Sequence, residues 1–415
     1  MISLHKVKEW KKPIILLFSL SSAHIGSFVY LAAINVLVYK VTDGSAAAVA
    51  GLWVISPIIN IITKLWTGSF IDYRSKKKIV MITYVLRALL IVTMFFATNI
   101  TSLYLILIVV SVGQSFFVPA SITYTTMIVP YEKRKRFNTF RSVTSSSAFI
   151  IGPAIAGVLI FLTSVEVTLL LTSLFFVIAA VFICFLPDVD KKKTEIPRLT
   201  VNRVKEDFIS VFTFLKKEKY VSFVYLGYLS LMIIAYIMDA QEVAFIQTVV
   251  GLSETDYSFL LSITGIGSVA GAFVLTIIAN RLSIRSMIAC GMFMMAIGYV
   301  FYSLSSSFTA VMSSFILLGF FNSFLNAGAL TFYQNNIPVE MMGRVTSIFQ
   351  LLQSMLQVSY LSVIMLMTNL IPLKNIIISL SLLLFVFTCF YVLVIFRHSF
   401  QRYFTEKSEG VSVDE

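Results

Sequence analysis

Two carboxyl groups stand where a sequence has little use for them. Asp239 and Glu242 lie in "IMDAQEVAF" (237–245), within a long apolar run. Spaced by three residues, they share one face of a helix. An ionised acid in an apolar medium is costly, about 2.5–3.5 kcal/mol on membrane-insertion scales. Two of them on one face repel each other, and one shared proton relieves the repulsion. The chemistry open to such a pair is proton loading and release, or the holding of a cation that protonation would eject. Glu242 could equally reach an outer interface and Asp239 bond a neighbouring helix. Two further polar residues belong with this question. Arg87 could pair with one of the acids or reach the membrane surface. His24 could join a proton path or pack as a hydrogen-bonded ring.

The elements that must hold these groups are membrane spans. Of 415 residues, 58% are hydrophobic and 13% charged, an apolar share above the roughly 45–50% of soluble domains. Twelve apolar runs follow one another, near 14–39, 45–67, 79–98, 103–127, 138–162, 166–186, 220–248, 257–279, 287–304, 308–335, 345–368 and 375–396. Each is long enough for a helix across a bilayer. The expected fold is an all-α membrane protein of twelve transmembrane helices in two pseudo-symmetric six-helix bundles. The divisions are 1–186 for the N-terminal bundle, 187–219 for a linker, 220–396 for the C-terminal bundle and 397–415 for a tail.

The net charge of +12 is a matter of topology. All but four of the 32 Lys and Arg residues fall on alternate loops of one side, Lys40, Lys64, Arg87 and Lys374 being the four. In this count Arg141 belongs to the charged loop "EKRKRFNTFR", and Lys64 is expected to snorkel to the surface. The positive-inside rule makes that side cytoplasmic, with both termini inside. It leaves no case for a nucleic-acid partner. Cys184, Cys290 and Cys389 all lie in apolar runs, without metal or disulfide spacing. No cofactor or metal is expected. In the linker, Val201, Val204, Phe208, Val211, Phe212 and Leu215 make one helical face, suited to the membrane surface or to a solvated connector.

Shifted by 208 residues, the halves match. Ser115-Phe116 falls on Ser323-Phe324, Thr123 on Thr331, Pro130 on Pro338, Glu132 on Glu340 and Arg136 on Arg344. Asp72 falls on Asn280. A six-span repeat is a common plan of secondary transporters, with the substrate path between the halves.

The motifs carry a family resemblance. "GSFIDYRSKKK", with Gly68, Asp72 and Arg74, resembles the loop signature of the major facilitator superfamily. That resemblance implies a cytoplasmic gate in which Asp72 and Arg74 take part. The start of span eleven, from Gly343 and Arg344 to Thr346, is the helix terminus whose free N–H groups suit the Asp72 carboxylate. Glu132, Arg136 and Glu340 occupy the equivalent gate loops. "SSAFIIGPAIAGVLI" resembles the antiporter motif of drug exporters in Gly152, Pro153 and Gly157, with Ala148 and Thr139 where that motif has further glycines. Residues 115–138 and "QNNIPVEMMGRVTSI" resemble the branch of macrolide-efflux proteins and the enterobactin exporter. Phe117, Pro119, Ala120, Val129, Pro130 and Asn138 carry the first match; Gln334, Pro338, Gly343, Arg344, Val345 and Ser347 carry the second.

No phosphate-binding loop for ATP and no enzyme-like cluster is present in the sequence. The expectation is a monomeric, multi-pass secondary transporter of a bacterial cell membrane, not an enzyme. It would export a hydrophobic or amphiphilic small molecule, drug-, macrolide- or siderophore-like, in exchange for protons, with membrane lipid as its solvent. The alternatives are an importer or lipid flippase of the same fold, or a non-transporting sensor or assembly subunit.

Overall fold

The computed structural model describes residues 4–42, 46–97, 99–190, 200–367, 371–397 and 404. Fourteen α-helices fill the described residues, which contain no strand. In chain order they are α1 (Leu4–Val41), α2 (Ala46–Asp72), α3 (Lys76–Met94), α4 (Ile100–Ile128), α5 (Arg134–Leu162), α6 (Val165–Cys184), α7 (Val201–Lys217), α8 (Lys219–Ala240), α9 (Glu242–Phe245), α10 (Glu254–Ile278), α11 (Ile284–Leu304), α12 (Phe308–Asn336), α13 (Met342–Met367) and α14 (Leu373–Ile395). Among the described residues, nine helices are long and apolar enough to cross a membrane. α2, α3 and α13 cover the other three apolar runs.

Helix starts follow from local chemistry. Ser75, Asn99, Ser164, Ser283 and Ser307 each accept a backbone N–H from three residues on, capping α3, α4, α6, α11 and α12. Pro130 and Pro338 each precede a single 3-10 turn, Tyr131–Lys133 and Val339–Met341, that leads into α5 and α13. The 208-residue repeat is kept to the residue. α2, α3, α4, α5 and α6 start 208 residues before α10, α11, α12, α13 and α14.

Each half has its own apolar core, one built from residues between 16 and 186, the other from residues between 211 and 404. The halves meet along α2 against α13 and α5 against α10 and α12. Within the C-terminal half, α10 and α12 lie backbone to backbone. A Cβ on Gly267 would come within 2.6 Å of the Ile316 carbonyl oxygen, and one on Gly271 would strike that of Phe320. This G-x-x-x-G pair, 267 to 271, is a close-approach motif for helices in lipid.

Two elements depart from the expected pattern. The run from 220 to 248 is expected as one helix, yet α8 ends at Ala240. The chain turns at Gln241 between the two acids, and residues 246–250 wind as a π-helix before Gly251 at φ 79°. The linker helix α7 lies neither free nor on its apolar face alone. It docks on α2 and α13, with Asp207 and Val211 buried and Ile209 and Phe212 exposed.

Candidate functional site

The site has a sealed end and a cavity. At the sealed end, α2 delivers Asp72 to the first turn of α13. Its Oδ1 accepts the Gly343 N–H at 2.8 Å; its Oδ2 accepts the Arg344 N–H at 3.1 Å and the Arg344 Nε–H at 2.8 Å. Asp72 is 1% exposed. Free N–H groups of a helix start favour an anion, and the guanidinium adds charge to the contact. Two glycines make the approach possible. A Cβ on Gly68 would come within 2.6 Å of the Arg344 Cα, and one on Gly343 would strike Asp72 itself.

Asp207 of α7 joins this contact, a residue that the sequence reading missed. It accepts Arg344 Nη1–H at 2.7 Å and the Tyr73 hydroxyl at 3.0 Å, while Arg203 donates to Tyr73. Burial, the largest cause, lifts the Tyr73 phenol above its ordinary value, so it stays a neutral donor. Nothing in the spacing of α7 distinguishes Asp207 from the solvated acids around it, so only the fold reveals the contact.

Other cross-links gather at the same end. Arg134 donates to the Gln334 carbonyl at 2.7 Å and to the Thr126 carbonyl at 2.8 Å. Asn138 Nδ2 donates to Gln334 Oε1 at 2.7 Å and to Thr331 Oγ1 at 2.9 Å. The two motif segments thus meet through Asn138 and Gln334. Thr67 and Ser347 hydroxyls lie 3.3 Å apart.

The remaining gate candidates lie outside the contact. Arg74 turns back over the Phe70 ring at 3.9 Å and donates to the Phe70 carbonyl. Arg136 lies over Trp10 and Phe140 and makes no ion pair among the described residues. Glu132 is exposed; Glu340 is exposed and supplies only its carbonyl, to Arg344. Lys64, expected to snorkel, is instead 2% exposed and donates to the Ser115 carbonyl of α4.

The cavity has two lobes that share Thr264, Ser268, Asn322 and Asn326. The lobe of 550 Å³ contains Asp239 and Glu242. Tyr299 donates its hydroxyl to Asp239 at 2.9 Å, and Tyr257 reaches Glu242 at 3.5 Å. Gln353 and Gln357 of α13 complete the wall, and no cation lines it among the described residues. Arg87 is elsewhere. It lies inside the N-terminal half over Phe176 at 4.4 Å and Tyr30 at 5.4 Å, and donates to Gln114. It therefore neither pairs with the acids nor snorkels; aromatic faces hold the cation in place.

The other lobe, of 520 Å³, contains His24 and Arg141. Arg141 is a correction to the sequence reading. It sits two turns into α5 and faces the cavity, because the helix carries on from the charged loop into the interior. Ser142, Ser145 and Ser146 line the same wall.

Of the antiporter-like residues, Gly152 is buried where a Cβ would strike Phe28 of α1, so it allows α5 and α1 to touch. Pro153 lies within α5 and is exposed. Gly157 has open space beside it and takes no part in a close contact.

Comparison with known proteins decides the family. The sequence matches the family model described as Major Facilitator Superfamily over residues 16–359. The chain belongs to the Major Facilitator Superfamily. Its fold is similar to that of the human organic anion transporter MFSD10 (TETRAN), with a TM-score of 0.77 at 11% identity, covering 92% of this chain and 99% of that one. It is also similar to a bacterial homologue of the iron transporter ferroportin in an outward-facing state, with a TM-score of 0.70 at 16% identity, covering 93% and 98%. The same homologue with soaked iron gives 0.70 at 15% identity. Among curated protein sequences, none matches. As a member of this superfamily, the protein is a multi-pass membrane protein with a transporter fold.

Proposed function

We propose that this protein is a proton-driven exporter of a hydrophobic or amphiphilic small molecule, of the drug, macrolide or siderophore kind. In this reading it works as a monomer in a bacterial cell membrane, with the Asp72 end and both termini in the cytoplasm. The observation that carries the reading is the acid pair. Asp239 and Glu242 stand on the wall of a drug-sized cavity, with only tyrosine hydroxyls as their partners among the described residues. The polar groups that line the lobe with them include Tyr257 from α10, Tyr299 from α11 and the two glutamines from α13.

The mechanism follows from the two ends. With Asp72 locked on α13, the cavity is closed to the cytoplasm. The pair takes up a proton from outside, which lets the substrate leave outward. The halves then close above the cavity, Asp72 leaves the α13 terminus, and the proton passes inward as the next substrate molecule enters. Gly68 and Gly343 set the closed distance, Arg344 supplies the cation of the latch, and Gly152 keeps α1 and α5 in contact.

Everted membrane vesicles test this. A panel of amphiphilic drugs should include compounds that dissipate a preset pH gradient in vesicles holding the protein. Asp239→Asn should abolish that response at normal expression. Wild-type gradient-driven transport by the variant would refute the coupling role. Gradient-driven movement in the opposite direction would favour an importer.

A further inference from the structure

The two lobes of the cavity carry opposite charge. On one wall, Arg141 Nη1 on α5 and His24 Nδ1 on α1 are buried without a hydrogen-bond partner among the described residues. No carboxylate lines that lobe among the described residues. On the other wall stand Asp239 and Glu242, with no cation beside them among the described residues. Thr264, Ser268, Asn322 and Asn326 line both lobes, so the two adjoin at these residues. Among the described residues, no ion pair joins Arg141 to either acid.

A guanidinium and an acid pair that lack a counter-charge are each costly away from water. Side chains that were there to neutralise each other would meet. These lie in separate lobes, with the rings of Phe28, Phe149 and Tyr225 beside Arg141 and His24, and the polar residues Thr264, Ser268, Asn322 and Asn326 common to both. What fits is a ligand that carries both charges.

We propose that the transported molecule is a zwitterionic amphiphile. Its anionic group, a carboxylate, sulfonate or phosphate, binds Arg141 and His24. Its ammonium group binds Asp239 and Glu242, and its apolar body lies on the rings. The inference rests on the export reading and adds the substrate class to it. It also explains exchange. A proton at the acid pair competes with the ammonium end and leaves the anionic end untouched. A ligand with the anion alone would favour protonated acids and travel with the proton, in the same direction.

Binding measured without a gradient separates this from the export reading. The full chain, in nanodiscs of phosphatidylglycerol at pH 8, is titrated with three matched fluorescent probes. Nα-dansyl-lysine carries both charges, dansylcadaverine lacks its carboxylate and Nα-dansyl-norleucine lacks its ammonium. Dansyl-lysine should bind at least tenfold tighter than either of the others. Arg141→Gln should weaken dansyl-lysine and dansyl-norleucine about tenfold and leave dansylcadaverine unchanged; Asp239→Asn should weaken dansyl-lysine and dansylcadaverine only. Arg141→Lys should retain part of the preference. Displacement of dansyl-lysine by dihexanoyl phosphatidylethanolamine would assign the zwitterion to a lipid headgroup; its failure to displace would assign a free amphiphile. Dansylcadaverine binding as tightly as dansyl-lysine, or no binding of dansyl-lysine, overturns the proposal, and the wild-type ranking decides this even where a variant fails to fold. Zwitterion preference without gradient-driven transport would leave this inference standing and remove the export reading.

Discussion

Arg344 holds Asp72 twice, with its backbone N–H at 3.1 Å and its Nε–H at 2.8 Å, while the same guanidinium reaches Asp207 at 2.7 Å. Three elements from different parts of the chain, α2, α7 and α13, thereby close on one cation. Each bond at this junction is a place where closure can be tested.

Asp72→Asn removes the charge and keeps the shape. One side-chain oxygen must then serve three donors. Breaking a buried pair costs about 3–5 kcal/mol when the partner is left uncompensated, and Asp207 moderates that here. The expected outcome is at least a tenfold fall in turnover with substrate binding unchanged, read from transport rates and equilibrium binding on the same preparation. Unchanged turnover would reduce Asp72 to a loop residue.

Gly68→Val places a side chain where even a Cβ would lie 2.6 Å from the Arg344 Cα. Backbone cannot yield as a flexible side chain can, and overpacking of this kind costs about 1–3 kcal/mol. α2 and α13 should separate. Cysteines at Thr67 and Ser347, whose hydroxyls are 3.3 Å apart, should cross-link in the parent protein and lose most of that yield beside Gly68→Val. Equal yields would show that the closed distance does not depend on this glycine.

Asp207→Asn leaves the Asp72 contact in place but takes the acid from Arg344 Nη1 and Tyr73. The expected effect is a shift toward the opened gate. Ser347 is 1% exposed in the closed form, so a cysteine there reports opening. With Cys184, Cys290 and Cys389 replaced, labelling of Ser347→Cys by a water-soluble maleimide should speed up several-fold beside Asp207→Asn. A rate equal to the parent's would make α7 a bystander.

Gly271→Ala tests the packing that holds the shared residues of the cavity. Its Cβ would strike the Phe320 carbonyl oxygen, a backbone atom. The variant should lose about 1–3 kcal/mol of stability, seen as a lower unfolding temperature of the purified protein. Gly157→Ala, with open space beside it, is the matched control and should leave that temperature unchanged.

Much of the fold was legible because lipid imposes simple demands. Apolar runs and one constant offset place the helices, and the Gly-Asp signature points to the α13 terminus. What was not legible turns on direction. Arg141 follows a run of basic loop residues by little more than one helical turn, and composition alone cannot tell where a loop ends once the helix has begun. Lys64 has the stem to reach the surface, yet a neighbouring carbonyl takes its charge. The turn at Gln241 has no glycine or proline to announce it. Asp207 looks like any acid on the wet face of an amphipathic helix until α13 is placed beside it.

The repeat places Asn280 where its partner half has Asp72, and Arg136 where it has Arg344. Arg136 rests on Trp10 and Phe140 of its own half. Parting α2 from α13 therefore separates opposite charges, whereas at the mirrored seam, among the described residues, no such latch repeats the one between Asp72 and Arg344. A backbone that is nearly even-handed thus carries its charge on one flank.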